Sequence, residues 1–121
     1  MKYVILIYSN PESRAAWNGF SEAQRAEGMA AYALLNDELT ASGELIVSEA
    51  LTGPSLGRGV TVRDGEVSTT DGPFAEAKEH LAGFFLIECD SLDRATEIAA
   101  RVPEATLGLV EVRPVMIYHR M

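Results

Sequence analysis

The sequence predicts an α+β fold: a ferredoxin-like β-α-β-β-α-β order on an antiparallel sheet, with a β-hairpin inserted near its middle. Three observations predict it. Runs of β-branched and aromatic residues open and close the chain and alternate with two stretches of helical periodicity. The pair Asp64-Gly65 stands between two short strand-like runs, a strong local hairpin signal. The principal strands are apolar at both odd and even positions, so both faces of the sheet ask for cover.

Residues 3–8 form the first expected strand, ended by Ser9-Asn10-Pro11, where turn residues and a missing amide stop the ladder. The stretch to residue 20, holding Trp17 and Phe20, reads as a loop. Ser21 with Gln24 makes a capping box for a helix that runs to about Ser42, with Gly43 as its stop, and Gly28, Tyr32, Leu35 and Leu39 share one face. Residues 44–51 are a second strand, ended by Gly53-Pro54. Residues 59–63 and 66–70 flank the hairpin turn, and after a turn at Asp71 residues 81–89 are a long apolar strand. Asp90 is expected to cap a second helix, with Leu92, Ala95, Ala99 and Val102 on one face and Pro103 as its stop. Residues 107–118 are the closing strand. No repeat, low-complexity tract or linker interrupts the pattern, and 1–121 reads as one domain.

Charge narrows the partners. Against 10 Lys and Arg stand 18 Asp and Glu, a net charge of -8, which repels phosphate backbones and anionic lipid, so neither nucleic acid nor a membrane surface is expected. The N-terminal apolar run is too short for a membrane span and no small-residue cleavage site follows it. The single cysteine, Cys89, has no internal partner for a disulfide and falls in an apolar run, where a small buried hydrophobe in a reducing cytoplasm is the expectation. Two helices cover one sheet face only. Tyr3, Ile5 and Ile7 alternate with Val4, Leu6 and Tyr8, and Phe84 and Leu86 with Phe85 and Ile87, so a second copy of the chain is the simplest cover for the other face. A homodimer is expected.

The segment Asp71-Gly72-Pro73-Phe74-Ala75-Glu76-Ala77-Lys78-Glu79-His80-Leu81-Ala82-Gly83-Phe84-Phe85 concentrates acids, a lysine and a histidine beside an apolar strand. It resembles the D-G-P-F-x-E-x-K-E-x-L-G-G-F/Y segment of the DGPF branch of the YCII-related family, and the resemblance extends over nearly the whole chain. It implies a dimeric α+β barrel, in which two such sheets face each other. It names a family rather than a reaction. Because DGPF-type proteins are often encoded beside extracytoplasmic-function sigma factors, it also implies a functional link to such a factor and, as an alternative to an enzyme, a noncatalytic regulatory or interaction module. Some shorter YCII-like proteins look as if they use a histidine of the first helix, paired with an acid, for proton transfer. That position corresponds here to Gly28, and this helix contains no histidine.

The expected site is a cleft between the sheet and the first helix, drawing on Asp71, Phe74, Glu76, Lys78, Tyr32 and Arg113. Asp71, Glu76 and Lys78 are the candidate catalytic groups, with a carboxylate as base and Lys78 or Arg113 holding charge, on a small polar or carboxylate compound. Tyr32, Phe74 and Arg113 are the candidate ligand contacts. Each has a structural reading beside the functional one: Asp71 as a turn acceptor next to a conformationally free Gly72, Phe74 as a core anchor, Glu76, Lys78 and Glu79 as a solvated cluster, and Tyr32 as core packing. Arg113 lies beside Glu111 on one strand face, with Val110 and Val112 on the other, so the pair is either a structural ion pair or part of a polar pocket. His80 falls at a variable motif position, at an expected solvent-facing strand start, and is set aside, as is His119 near the C-terminus. Gly53, Gly57 and Gly59 lack the strand-turn-helix setting of a phosphate loop, and metal-ligand spacing is missing, so no cofactor and no metal are expected.

Overall fold

The computed structural model describes residues 1–72 and 78–117. The chain order is β1 (Lys2–Ser9), α1 (Pro11–Gly19), α2 (Glu22–Ser42), β2 (Leu45–Ala50), β3 (Arg58–Arg63), β4 (Glu66–Asp71), β5 (His80–Glu88), α3 (Leu92–Ala99) and β6 (Val110–Pro114), with short 3-10 turns at Pro54–Leu56 and Pro103–Leu107. Strands β2, β5, β1 and β6 lie side by side in that order, all antiparallel, which is the ferredoxin-like topology; β3 and β4 form a separate two-stranded hairpin.

Local chemistry accounts for most boundaries. In α2 the Ser21 hydroxyl accepts from the Gln24 amide (3.1 Å) and the Gln24 side chain accepts from the Ser21 amide (2.9 Å), while Gly43 closes the helix at φ +80°, where a side chain is strained. Asp64 and Gly65 both adopt positive φ at the hairpin tip. Three boundaries differ from the sequence reading. Residues Pro11–Gly19, expected as loop, form a helix, because Asn10 and Ser13 make a reciprocal capping box and Pro11 occupies the first helical position. Helix α3 is capped by Ser91, whose side chain accepts from the Arg94 amide, rather than by Asp90; Leu92 points outward at 48% exposure, and the helix ends at Ala99, so the buried Val102 lies beyond it at the start of the 3-10 turn. The closing strand is Val110–Pro114 only, since Pro103 starts a 3-10 turn and Gly108 ends it at φ +71°.

The core lies between the helices and one face of the sheet. Tyr3, Ile5 and Ile7 of β1 and Phe85 and Ile87 of β5 alternate inward against Leu35 and Leu39 of α2 and Ala95, Ile98 and Ala99 of α3. Cys89 is buried beside them. Each fully buried Leu or Ile contributes about 1.5–3 kcal/mol of transfer free energy. A bidentate ion pair, Arg94 Nε and Nη2 to the two Glu44 oxygens at 2.9 Å each, ties the exit of α2 to α3. The opposite face presents Val4, Leu6, Phe84 and Leu86 in register with Glu111 and Arg113. Helices α2 and α3 both pack on the core side. We propose that a second copy covers it.

Candidate functional site

Among the described residues a concavity lies on each face of the sheet. On the helix side, α2, the edge strand β2 and β5 leave a cleft of about 270 Å³. Its polar end is built by Tyr32, Asn36, Ser48 and Glu104, and its apolar wall by Ile7, Phe85 and Met29. Tyr32 and Phe85 lie with their rings parallel, 7° apart in plane and 6.4 Å between centroids. The Tyr32 hydroxyl donates to Glu104 Oε2, a contact between residues 72 positions apart. Burial, reinforced by that hydrogen bond and by the carboxylate charge, pushes the phenol upward, so Tyr32 stays protonated. Ser48 Oγ donates to Asn36 Oδ1 (2.5 Å), and Asn36 Nδ2 donates to the Tyr32 carbonyl (2.9 Å). Gly83 is required by close approach: a Cβ there would meet the Glu49 carbonyl oxygen at 2.8 Å, so any side chain would push β2 away and reshape the cleft.

On the open face a shallow recess of about 750 Å³ is lined by Tyr8, Asn10, Glu12, Lys78, Glu79 and Glu111. The Tyr8 hydroxyl donates to Glu111 Oε1 (3.0 Å), and Arg113 holds both Glu111 oxygens at 2.9 and 3.2 Å. Arg113 and then Tyr8 hold the Glu111 carboxyl below the ordinary range. Desolvation first, and then Glu111, raises the Tyr8 phenol.

The expected single cleft is thus divided. Tyr32 lines the helix-side cleft, whereas Lys78 lines the recess on the other face. Arg113 sits with Glu111 on that other face, because Val110 and Val112 occupy the alternate positions of β6 and pair with the core residues Ile7 and Ile5. Asp71 ends β4, away from both, and among the described residues its carboxylate partner is Arg58 at 3.7 Å, an exposed pair of little energetic weight. Gly72 is needed for space rather than for an unusual dihedral: a Cβ would fall 2.1 Å from the Pro54 carbonyl oxygen, and its amide donates to Gly57 O (3.0 Å). Phe74 and Glu76 lie outside the described residues, as does His119. His80 opens β5 opposite Ser9 and is half-buried rather than solvent-facing.

Three contributors to the helix-side cleft, Glu104, Asn36 and Ser48, were missed by the sequence reading. Glu104 follows Pro103 in a turn with no periodic signal, and only the tertiary fold brings it to Tyr32. At Gly28 a Cβ would stand 3.4 Å from the Trp17 ring, so the place of a helix histidine is bordered by the indole of α1. The Tyr32–Glu104 pair lies one turn further along α2.

Sheet order and helix placement define an α+β protein of ferredoxin-like topology. The chain belongs to the YCII-related family, whose domain matches residues 1–118. An uncharacterized Rhizobium meliloti (strain 1021) protein is 32% identical over 120 residues, covering 98% of this chain and 94% of that protein. Among solved structures, the 5-chloro-2-hydroxyhydroquinone dehydrochlorinase of Burkholderia phenoliruptrix AC1100, in complex with 2,5-dihydroxybenzoquinone, is similar with a TM-score of 0.51 and 22% identity, over 96% of this chain and 94% of that one. No helix among the described residues is long and apolar enough to cross a membrane.

Proposed function

We propose that the helix-side cleft binds a small polar compound with a ring-sized apolar body and performs cofactor-free acid-base chemistry on it, with Glu104 as the base. The observation that carries this reading is the Tyr32–Glu104 hydrogen bond at the end of an otherwise apolar cleft. A protonated phenol fixes one carboxylate oxygen and leaves the other, Glu104 Oε1, for a ligand, an arrangement suited to proton transfer at that oxygen. The volume of about 270 Å³ lies just under the range of roughly 300–1,000 Å³ common for ligand pockets, which suits a single ring. A protein of the same fold holding 2,5-dihydroxybenzoquinone supports that size class. Lys78 and Arg113, assigned by the sequence reading to hold substrate charge, belong in this proposal to the open face.

The test is a screen of single-ring polar compounds against ¹⁵N-labelled protein. Binding is expected to move the amide signals of Tyr32, Asn36, Ser48 and Gly83, and Glu104→Gln is expected to abolish hydrogen-deuterium exchange of a bound C–H or N–H acid while the fold persists. Ligands that move only Tyr8, Lys78 and Glu111 signals would shift the site to the open face. If no compound binds, the noncatalytic module becomes the better reading.

A further inference from the structure

We propose, building on the cleft reading above, that the ligand is a ring-sized amine held in its protonated form and that carboxylates are turned away. Hydrogen-bond accounting carries the argument. The Tyr32 hydroxyl is committed to Glu104, the Ser48 hydroxyl to Asn36 Oδ1, and one Asn36 N–H to the Tyr32 carbonyl. What these four side chains still offer is mainly acceptors: the second Glu104 oxygen and the lone pairs of Tyr32 Oη and Ser48 Oγ, against a single remaining N–H of Asn36. A ligand that matches such a wall must donate.

Charge points the same way. Glu104 brings its carboxylate to the cleft, whose lining residues include no Lys, Arg or His, and the chain as a whole carries -8. A carboxylate ligand would set acceptor against acceptor and a second negative charge beside Glu104, away from full solvent screening. An ammonium brings three donors and the opposite charge, and the long-range field of the protein attracts it. The neighbouring Phe85 ring offers further attraction for a cation. The cations expected from sequence to hold a carboxylate, Lys78 and Arg113, lie across the sheet and leave this preference intact.

Calorimetry of the full chain with benzylamine, benzyl alcohol and benzoate separates the alternatives, since the three share a ring and differ in charge and donor count. Benzylamine is expected to bind at least about tenfold more tightly than benzoate, with benzyl alcohol between them. Glu104→Gln, an isosteric change checked for fold by circular dichroism, is expected to weaken benzylamine at least about tenfold and the alcohol by less than about threefold. Benzoate binding as tight as benzylamine, lost in Tyr32→Phe, would overturn the amine assignment and leave the cleft reading standing. Equal benzylamine affinity in wild type and Glu104→Gln would also overturn it. Failure of all three compounds to bind would overturn both.

Discussion

Replacing Tyr32 by Phe removes one hydroxyl and leaves the ring that lies parallel to Phe85 in place, so the change isolates the hydrogen bond to Glu104. A bond to a charged acceptor contributes about 1.5–3 kcal/mol, and Glu104 is only half-buried, so water can replace the lost donor in part. The lower end, about 1.5 kcal/mol, is therefore expected. For a chain of 121 residues, with roughly 4 °C per kcal/mol, that is a fall of about 6 °C in Tm. Urea denaturation followed by circular dichroism measures the free energy directly, and a double-mutant cycle with Glu104→Ala isolates the pair. The two single changes should be non-additive by about 1 kcal/mol. Additivity within about 0.3 kcal/mol would refute the claim that Tyr32 and Glu104 act as a unit, and with it the positioning of the proposed base.

Gly83→Ala places a methyl against the Glu49 carbonyl oxygen and should cost about 1–3 kcal/mol while abolishing ligand binding in the cleft; unchanged urea midpoint and affinity would contradict the close approach. The Glu44 carboxyl is held below its usual range chiefly by the Arg94 hydrogen bond, so its contribution is present above the unfolded carboxyl pKa and is lost as pH falls through the lower, folded one. Glu44→Gln should therefore flatten the stability curve below about pH 4.5 without altering its shape near neutrality, and an unaltered acid limb in urea titrations would count against it. Light scattering at micromolar concentration should give about twice the 13.1 kDa chain mass, and Leu6→Arg on the open face should halve it; a wild-type monomer would leave that face uncovered and refute the proposed pairing.

The parts of the fold legible in the sequence were those written in local chemistry. Ser21 with Gln24, Gly43, and Asp64-Gly65 each satisfy backbone requirements within a few residues, and the inward alternation of β1 and β5 is a period-two pattern. Helix α1 was hidden because it buries none of its residues, so no apolar period announced it, and because Asn10-Pro11 serves equally as a strand stop and as a helix start. The cleft was half legible. Tyr32 stood on the correct helix face, but its partner arrives from a turn far along the chain, and no spacing rule reaches that distance. The DGPF segment pointed to Lys78, and Arg113 was expected in the same cleft as Tyr32, because strand parity separates Arg113 from Val110 and Val112 without saying which face the helices cover.

Trp17 is the only tryptophan of the chain, and its ring borders Gly28, one turn from Tyr32, with Phe20 edge-on at 6.0 Å. Helix α1 is otherwise tethered by the Arg25 guanidinium, which donates to the Trp17 and Asn18 carbonyls at 3.1 and 2.8 Å, and by Arg14 Nη1, which donates to Ser9 Oγ at 3.1 Å. A segment without buried residues and with so few anchors opens at a small fraction of the global unfolding free energy, so its amides should exchange with deuterium far ahead of those in β1 and β5. The indole therefore acts as a built-in optical gauge of that local opening, with an emission that changes when α1 detaches and well before the core melts.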